Sequence, residues 1–138
     1  MLANSKTSIL LLELRHFKII SEKLEDISLP SEFHLKNLEA VTSSVNLKAD
    51  YLSLTVPQIA AEYFVRICCG HKLVDGNKRM AVACFGYFLE INNCSVKLSN
   101  ETLRDLAITL AHEKTSKIPV EVKVAYIVSI IETSIRTT

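Results

Sequence analysis

Two apolar segments, separated by a short polar stretch, constrain the fold of this chain more than any other feature. The first runs from Thr55 to about Gly70, and the second runs from Lys78 to about Ile91. The first segment is apolar on almost every side, which is typical of a helix surrounded by protein rather than one lying on a surface. We therefore predict a central helix on which other helices pack.

The boundaries of these two helices carry their own signals. Thr55 and Gln58 have the spacing of a capping box, in which each side chain satisfies a backbone N–H group near the other residue. Pro57 is tolerated in the first helical turn, where its missing N–H would have no partner. Asn77 favours the cap position of the second helix, and the asparagines at 92–93 are expected to end it.

The composition favours helices throughout the chain. Only three glycines and three prolines occur among 138 residues, whereas β-sandwiches and barrels need many turns. We predict an all-α fold in one domain, residues 1–138. The further helices are expected over Ser5–Asp26, Phe33–Val41, Ser99 or Asn100 through Glu113, and from Ser116–Pro119 onward with Val122, Ala125, Tyr126, Ile130 and Ile131 on the buried side. A loop with a small extended piece is expected over 42–53, between the second of these helices and the central one.

The charge balance excludes several classes of partner. Sixteen Lys and Arg residues against fifteen Asp and Glu residues leave a net charge of +1. A protein that coats nucleic acid or binds a membrane through a polybasic surface would be far more basic. The apolar run at 9–12 is broken by Glu13 and Arg15 and is too short to span a membrane. We expect a cytoplasmic protein that binds neither membrane nor nucleic acid directly.

The other side chains that can bind metals or stack are expected to be structural. Cys68, Cys69, Cys84 and Cys94 form no CxxC pair and are expected to be free thiols in the core, because a zinc site made of Cys68, Cys69 and His71 has the wrong spacing. Three histidines are expected on the surface: His16, His34 and His112. Four aromatic residues at helical spacing are expected in the core: Tyr63, Phe64, Phe85 and Phe88.

The stretch 71–79, HKLVDGNKR, joins the two apolar helices and is dense in ionisable groups. Lys78 and Arg79 fall in the first turn of the second helix, where the helix dipole disfavours a cation by about 0.3–1 kcal/mol. A bound anion would reverse that conflict, and helix N-termini are phosphate-binding sites. Gly76 allows the backbone to approach such a ligand closely.

Two further residues of this stretch suit the chemistry of phosphates. His71 can act as a general base near neutral pH, and Asp75 can anchor a magnesium ion that keeps most of its waters. Together with the anion site they indicate phosphoryl or nucleotidyl transfer. The alternative is a plain turn in which Asp75 and Gly76 are turn residues, Asn77 is a cap and the two cations are solvated.

The same nine residues resemble the signature of the Fic/Doc (Fido) family, H-x-F-x-D-x-N-[GK]-R. The apolar helices on both sides match the family's context, and the similarity is recognisable over about 54–113. The resemblance implies a Fic/Doc-type helical bundle with the motif loop between two central helices. It also implies a transferase that uses ATP and Mg²⁺ to modify a hydroxyl group of a target protein.

The resemblance also assigns roles by position. His71 would be the catalytic base that takes a proton from a target hydroxyl, and Asp75 would hold the metal ion. Gly76, Asn77 and Lys78 would line the nucleotide site. Arg79 would bind phosphate.

Departures from the family pattern bear on which group is transferred, AMP or phosphoryl. AMP-transferring members read G-N-G-R-x-x-R, whereas this chain has Lys78 at the second glycine and Val82 at the second arginine. The N-K-R form resembles the Doc (death-on-curing) branch, which transfers a phosphoryl group and acts as a toxin restrained by an antitoxin protein. Lys72 and Leu73 replace the usual Pro and Phe. Three alternatives remain: AMP transfer, a nucleotide-binding or partner-binding module without turnover, and a purely structural helical protein.

Overall fold

Helices account for nearly all of the regular structure in the computed structural model, which describes residues 9–23, 32–70 and 77–137. Within these ranges the prediction of an all-α fold is confirmed, since the only sheet pairs two three-residue strands. The elements in chain order are α1 (Leu14–Lys23), α2 (Glu32–Leu52), α3 (Val56–Cys68), α4 (Asn77–Ile91), β1 (Cys94–Val96), α5 (Asn100–Ala111), a 3-10 helix (Glu113–Thr115), α6 (Val120–Ser134) and β2 (Ile135–Thr137).

Helix α3 lies at the centre, as its apolar sequence predicts. Every residue from Ile59 to Val65 is buried, and so are Ile67 and Cys68. Helices α2, α4, α5 and α6 all contact α3, so each side of it faces another helix. Because a helix buried on all sides contributes apolar surface to every neighbour, α3 organises the hydrophobic core.

The predicted capping box starts α3. The Thr55 side chain accepts a hydrogen bond from the Gln58 N–H (3.4 Å), and the Gln58 Oε1 accepts one from the Thr55 N–H (2.8 Å). Pro57 lies in the first turn.

Helix α4 ends at the predicted asparagines. Asn93, which follows the helix, has a φ of 57°, the left-handed conformation that commonly ends helices.

Aromatic side chains join α3 to α4. Tyr63 meets Phe88 edge-on with ring centroids 5.1 Å apart, and Phe64 meets Phe85 in the same way at 5.5 Å. All four rings are fully buried, which confirms the predicted aromatic cluster. Edge-on pairs of this kind contribute about 0.5–1.5 kcal/mol each beyond the area they bury. The two helices that flank the 71–79 stretch are therefore held against each other along their length.

The predicted loop over 42–53 is wrong, because α2 continues as one helix to Leu52. Leu38, Val45 and Ala49 recur at helical spacing and are buried in the core. Thr42, the first residue of the predicted loop, is also buried, and its hydroxyl donates to the Leu38 carbonyl (2.9 Å) within the same helix. The Thr42 hydroxyl therefore has its hydrogen-bond partner within the helix, and the buried apolar residues on both sides of it stabilise α2 as one continuous helix.

The predicted helix over the N-terminal segment 9–13 is also wrong, since α1 begins only at Leu14. The side-chain amide of Asn92 bonds both backbone groups of Leu10, accepting from its N–H (2.8 Å) and donating to its carbonyl (2.9 Å). The Asn46 amide donates to the Leu12 carbonyl (2.9 Å), and the Leu12 N–H donates to the Tyr63 hydroxyl (3.0 Å). Side chains that are distant in sequence therefore form hydrogen bonds with backbone N–H and carbonyl groups that would bond to each other in a helix.

His16 was expected on the surface, but it is buried. Its Nδ1 accepts a hydrogen bond from the Glu13 N–H (2.8 Å) at the start of α1, and burial together with the Arg15 charge lowers the pKa of the imidazole. His112 is exposed as predicted, and its Nδ1 accepts from the Lys114 N–H before the 3-10 helix. The side chain of His34 lies outside the described residues.

Helix α6 buries a different face from the predicted one. Lys123, Val124, Ile127 and Ile131 are buried, whereas Val122, Ala125 and Tyr126 are exposed and Ile130 is half-buried. Of the predicted set, only Ile131 is fully buried. Because α6 is apolar on most sides, its sequence gives only a weak preference for one face, and packing against α3 makes the choice.

The small sheet joins the strand after α6 to the strand after α4. Strand β2 pairs antiparallel with β1, with Ser95 opposite Arg136. These strands are not predicted from the sequence, because they are too short to show an alternating pattern.

Charged side chains tie the outer helices to α3. The buried Glu62 carboxylate bonds Lys48 of α2 (2.6 Å) and Arg66 one turn further along α3 (2.7 Å), and Arg66 also reaches Glu121 of α6 (3.5 Å). Burial raises the pKa of Glu62, but the hydrogen bonds from Arg66 and Lys48 outweigh that effect and hold the pKa below its usual value. The carboxylate is therefore ionised at neutral pH in the core.

We predict that Tyr63→Phe lowers the free energy of unfolding by about 1–3 kcal/mol, the cost of leaving a buried hydrogen-bonding group without a partner. The Tyr63 hydroxyl accepts from the Leu12 N–H and donates to Asn46, so its removal leaves both groups unpaired. Urea denaturation measures the change. Tyr126→Phe, on the exposed face of α6, is the matched control and should change the value by less than about 0.5 kcal/mol. Equal effects of the two variants would contradict this prediction.

We predict that Glu62→Gln destabilises the fold at pH 7 by about 1.5–3 kcal/mol, the usual contribution of hydrogen bonds to a charged group. The folded pKa of Glu62 is lowered, so its contribution is fully present above the unfolded value of 4.5 and is lost as the pH falls through the folded pKa. The difference between wild type and variant should therefore shrink below about pH 4. Denaturation across that pH range tests this, with Glu132→Gln on the exposed side of α6 as the control.

Candidate active site at the N-terminus of helix α4

The predicted site lies where α3 ends and α4 begins. Helix α3 ends at Cys68; the Cys69 N–H donates to the Val65 carbonyl (3.0 Å) and the Gly70 N–H to that of Ile67 (3.2 Å). Helix α4 starts again at Asn77. Three of the predicted site residues, His71, Asp75 and Gly76, lie outside the described residues, and so does the side chain of Asn77.

Lys78 and Arg79 occupy the first turn of α4, as the sequence predicts. Lys78 is half-buried and Arg79 is exposed. This first turn holds no acidic residue, and the helix dipole disfavours a cation at this end of a helix. Met80 and Ala81, directly after them, are buried in the core and fix the start of the helix in place.

The positive charge extends to the end of α3. The Cys68 thiol is buried, and the ammonium groups of Lys123 and Lys78 both act on it. Their effect is smaller than that of the hydrogen bond with Cys69 and of burial, which together raise the pKa of Cys68. Lys78 therefore lies close enough to α3 for its charge to reach that helix, which places a cation at the junction of the two central helices.

The half-buried Cys69 lies beside this junction. Its Sγ is 3.7 Å from the Cys68 Sγ and 3.9 Å from the Nζ of Lys123, a buried residue of α6. The hydrogen bond from Cys68 and the charge of Lys123 outweigh burial and lower the pKa of Cys69 to about 7. Sequence reasoning expected Cys69 to be an ordinary core thiol and did not single out Lys123. The position of Lys123 between valines on an apolar helix was the available signal.

The expectation that all four cysteines are free thiols in the core is confirmed in part. All four are free; Cys68 and Cys84 are buried, whereas Cys69 and Cys94 are half-buried. Among the residues that the structure describes, no group of three or more His, Cys, Asp or Glu side chains is arranged to hold a metal ion. His71, the third member of the zinc site that the spacing argued against, is not among those residues.

No helix in the described ranges is both long enough and apolar enough to cross a membrane.

The groups at the start of α4 fit a polyphosphate. The first N–H groups of a helix have no partner within it, and here two cationic side chains accompany them. Backbone donors, a helix dipole and cations of this kind are the donor set that phosphate oxygens require. Asp75, whose carboxylate is predicted to hold magnesium, lies outside the described residues.

Comparison with known proteins bears on this site. No curated protein matches the chain. The model of the Fic/DOC family matches residues 8–89, which is more than half of the 138 residues and includes α3, the 71–79 stretch and most of α4. With a match of this extent across the central helix and the site, the chain belongs to the Fic/DOC family, whose members are typically nucleotide-transferring enzymes that use ATP with Mg²⁺.

Proposed function

We propose that this protein transfers the γ-phosphoryl group of ATP to a Ser or Thr hydroxyl of a target protein. The observation that carries the proposal is Lys78, a half-buried cation in the first turn of α4. Family membership supports a Fido-type transferase in general. The choice of phosphoryl transfer rests on the residues at the start of α4.

Lys78 and Arg79 suit a nucleotide that carries several negative charges. Phosphoryl transfer requires positioning and charge neutralisation more than covalent chemistry, and both can come from backbone N–H groups and cations. Without an anion, each cation in the first turn is disfavoured by about 0.3–1 kcal/mol. With the anion bound, the same charges favour binding, which explains why they stand where a helix would otherwise prefer Asp or Glu.

Two positions of α4 favour phosphoryl over AMP transfer. Lys78 stands where AMP-transferring relatives have glycine, and its side chain fills space that the glycine would leave for a nucleotide phosphate. Val82 stands at their second arginine; it is half-buried and packs against the core, so it supplies no charge for a phosphate. We infer that ATP binds in the reverse direction, with the γ-phosphate rather than the α-phosphate next to the target hydroxyl.

The motif residues before α4 complete the proposed mechanism. His71 takes the proton from the target hydroxyl, so that the oxygen can attack the γ-phosphorus while the bond from that phosphorus to the β–γ bridging oxygen breaks and ADP leaves. Asp75 holds Mg²⁺, which when bound neutralises charge on the phosphates. Gly76 and Asn77 bring backbone N–H groups to the nucleotide, and Arg79 neutralises charge on the transferred group. These roles rest on the sequence motif.

The Doc-like N-K-R motif also supports a biological role. We propose that the protein is the toxin of a toxin–antitoxin pair and that a separate antitoxin protein restrains it. The proposed partners are a target protein with an accessible hydroxyl and this antitoxin, and no direct contact with nucleic acid or membrane is proposed. The near-neutral charge of the chain fits this choice of partners.

We predict that incubation with cell lysate and Mg²⁺ moves label from [γ-³²P]ATP, but not from [α-³²P]ATP, onto a lysate protein. His71→Ala should lower the transfer by at least about 10²-fold, the typical contribution of a general base. Lys78→Gly should reduce γ-label transfer, since it removes the cation proposed to orient ATP. Transfer of α-label by the wild type would support AMP transfer instead.

Nucleotide binding is measured separately from chemistry, by the shift in melting temperature on adding ATP and Mg²⁺. A ligand at about 100 times its Kd stabilises a fold by about 2.7 kcal/mol. Lys78→Ala and Arg79→Ala should remove most of this stabilisation, whereas Arg104→Ala, an exposed cation on α5, should retain it. Binding without transfer of either label would indicate a nucleotide-binding module, and the absence of both would contradict the proposed function.

We predict that production of the wild-type protein in a host without the antitoxin slows growth and that His71→Ala relieves the effect. The measurement is colony count after induction, with Arg104→Ala as the control that should remain as toxic as the wild type. Equal growth of cells producing the wild type and the His71 variant, at equal protein levels, would contradict the toxin role. It would leave the transfer reaction to be judged by the label experiment.

A further inference from the structure

Two thiols and an ammonium group meet where the end of α3 contacts α5 and α6, outside the proposed catalytic set. The Cys69 Sγ lies 3.7 Å from the Cys68 Sγ and 3.9 Å from the Lys123 Nζ. The Leu110 carbonyl of α5 accepts from the same Nζ (2.9 Å) and from the Cys69 thiol (3.5 Å). Cys69 is thus surrounded by groups that can stabilise either its thiol or its thiolate form.

The burial of Lys123 favours the thiolate. Lys123 is only 6% exposed, and a buried ammonium is costly unless an anion or strong acceptors compensate it. Within the described ranges no carboxylate lies within 4.0 Å of its Nζ, and its hydrogen-bond partners are the Leu110 carbonyl and the Cys69 sulfur. A negative charge on Cys69 supplies the missing counter-charge, and the lowered pKa of this thiol agrees with the geometry.

Lys78 is a further charged group near this pair, and its charge acts on Cys68 rather than on Cys69. Its charge reaches the neighbouring Cys68 across the junction with α4. Cys68 itself stays protonated, because burial and the bond to Cys69 raise its pKa, so its S–H can donate to the Cys69 sulfur. The pair therefore divides into one donor thiol and one nucleophilic thiolate.

We propose that Cys69 is a modification site, a nucleophilic thiol that reacts with hydroperoxides to form a sulfenic acid. The thiolate sulfur attacks one peroxide oxygen, so that an S–O bond forms as the O–O bond breaks. The sulfur is oxidised by two electrons. The departing hydroxide takes a proton from solvent and leaves as water, and the Lys123 ammonium stabilises its charge as it develops. Hydrogen peroxide is small and uncharged, which suits a half-buried sulfur.

The neighbouring thiol does not readily convert this product to a disulfide. Adjacent Cα atoms are about 3.8 Å apart across a trans peptide bond, whereas disulfides need about 4.4–6.8 Å. Closure between Cys68 and Cys69 would therefore strain the backbone at the end of α3. The expected product is a single oxygen on Cys69, one residue before Gly70 and the motif stretch.

Cys94 provides the matched comparison within the same chain. It is half-buried like Cys69 and its thiol also donates to a carbonyl, that of Asn92 (3.4 Å), but in the described part of the chain no lysine ammonium bonds its sulfur as Lys123 bonds that of Cys69. The Lys123 ammonium beside Cys69 favours the thiolate, which is the form that attacks a peroxide, so Cys69 should react faster than Cys94 at and below pH 7. Cys84, fully buried, should react more slowly than either.

The experiment exposes the full-length protein to hydrogen peroxide between pH 5.5 and 9 and traps sulfenic acid with dimedone. Mass spectrometry then follows the adducts, and trypsin releases both neighbouring cysteines in the peptide 67–72. The adduct on this peptide should form in wild type and Cys68→Ser but not in Cys69→Ser. Its rate should reach half-maximum near pH 7, and at pH 6 it should exceed the rate of adduct formation at Cys94.

Equal rates at Cys69 and Cys94 across this pH range, or an adduct that persists in Cys69→Ser, would overturn the proposal. Lys123→Gln should shift the half-maximum to higher pH, while Lys123→Arg should keep it near the wild-type value; a folded Lys123→Gln protein with an unchanged profile would also overturn it. If this variant does not fold, the wild-type pH profile and the Cys69→Ser result decide. None of these measurements depends on ATP, so the proposed transferase function can fail without affecting this inference.

Discussion

Burial of α3 from Ile59 to Cys68, with Arg66 half-buried, is the constraint on which the rest of this structure depends. A helix buried to this extent needs neighbours on most of its surface, and α2, α4, α5 and α6 supply them. The polar groups that α3 carries into the core must also find partners there. Glu62 does so through Lys48 and Arg66, and Tyr63 through Asn46 and the backbone of Leu12. The same helix therefore sets both the apolar packing and the polar network.

Packing of α4 against α3 fixes the position of the candidate site. The edge-on contacts of Tyr63 with Phe88 and of Phe64 with Phe85 hold α3 against α4, so the end of one helix and the start of the other cannot drift apart. Stability alone would place an acidic residue in the first turn of α4, yet that turn carries Lys78 and Arg79. Such local disagreement between charge and helix dipole is expected where a ligand completes the electrostatics.

A second group of charges lies next to the first and is satisfied within the protein. Lys123 is buried on α6, and the sulfur of Cys69 and the Leu110 carbonyl lie around it. The two groups differ in their proposed roles. The cations and backbone N–H groups at the start of α4 are proposed to bind the phosphates of a nucleotide, whereas Lys123 is proposed to favour the thiolate of Cys69.

Local patterns determined several features of this protein by themselves. The capping box at Thr55, the central position of α3 and the two cations in the first turn of α4 all follow from residues within a few positions of one another, and the structure agrees with each. The family signature was also local, and the family model matches the region that contains it. The roles of His71 and Asp75 stay predictions from that signature.

Only the tertiary structure decided the features that depend on distant residues. The segment 9–13 is non-helical because Asn92, Asn46 and Tyr63 bond its backbone, and no local pattern records those partners. Packing on α3 selected the buried face of α6, an apolar helix with little preference of its own, and so brought Lys123 to Cys69. Spacing along a chain specifies which residues share a helix face, but contacts between helices specify which face is covered and which charges meet.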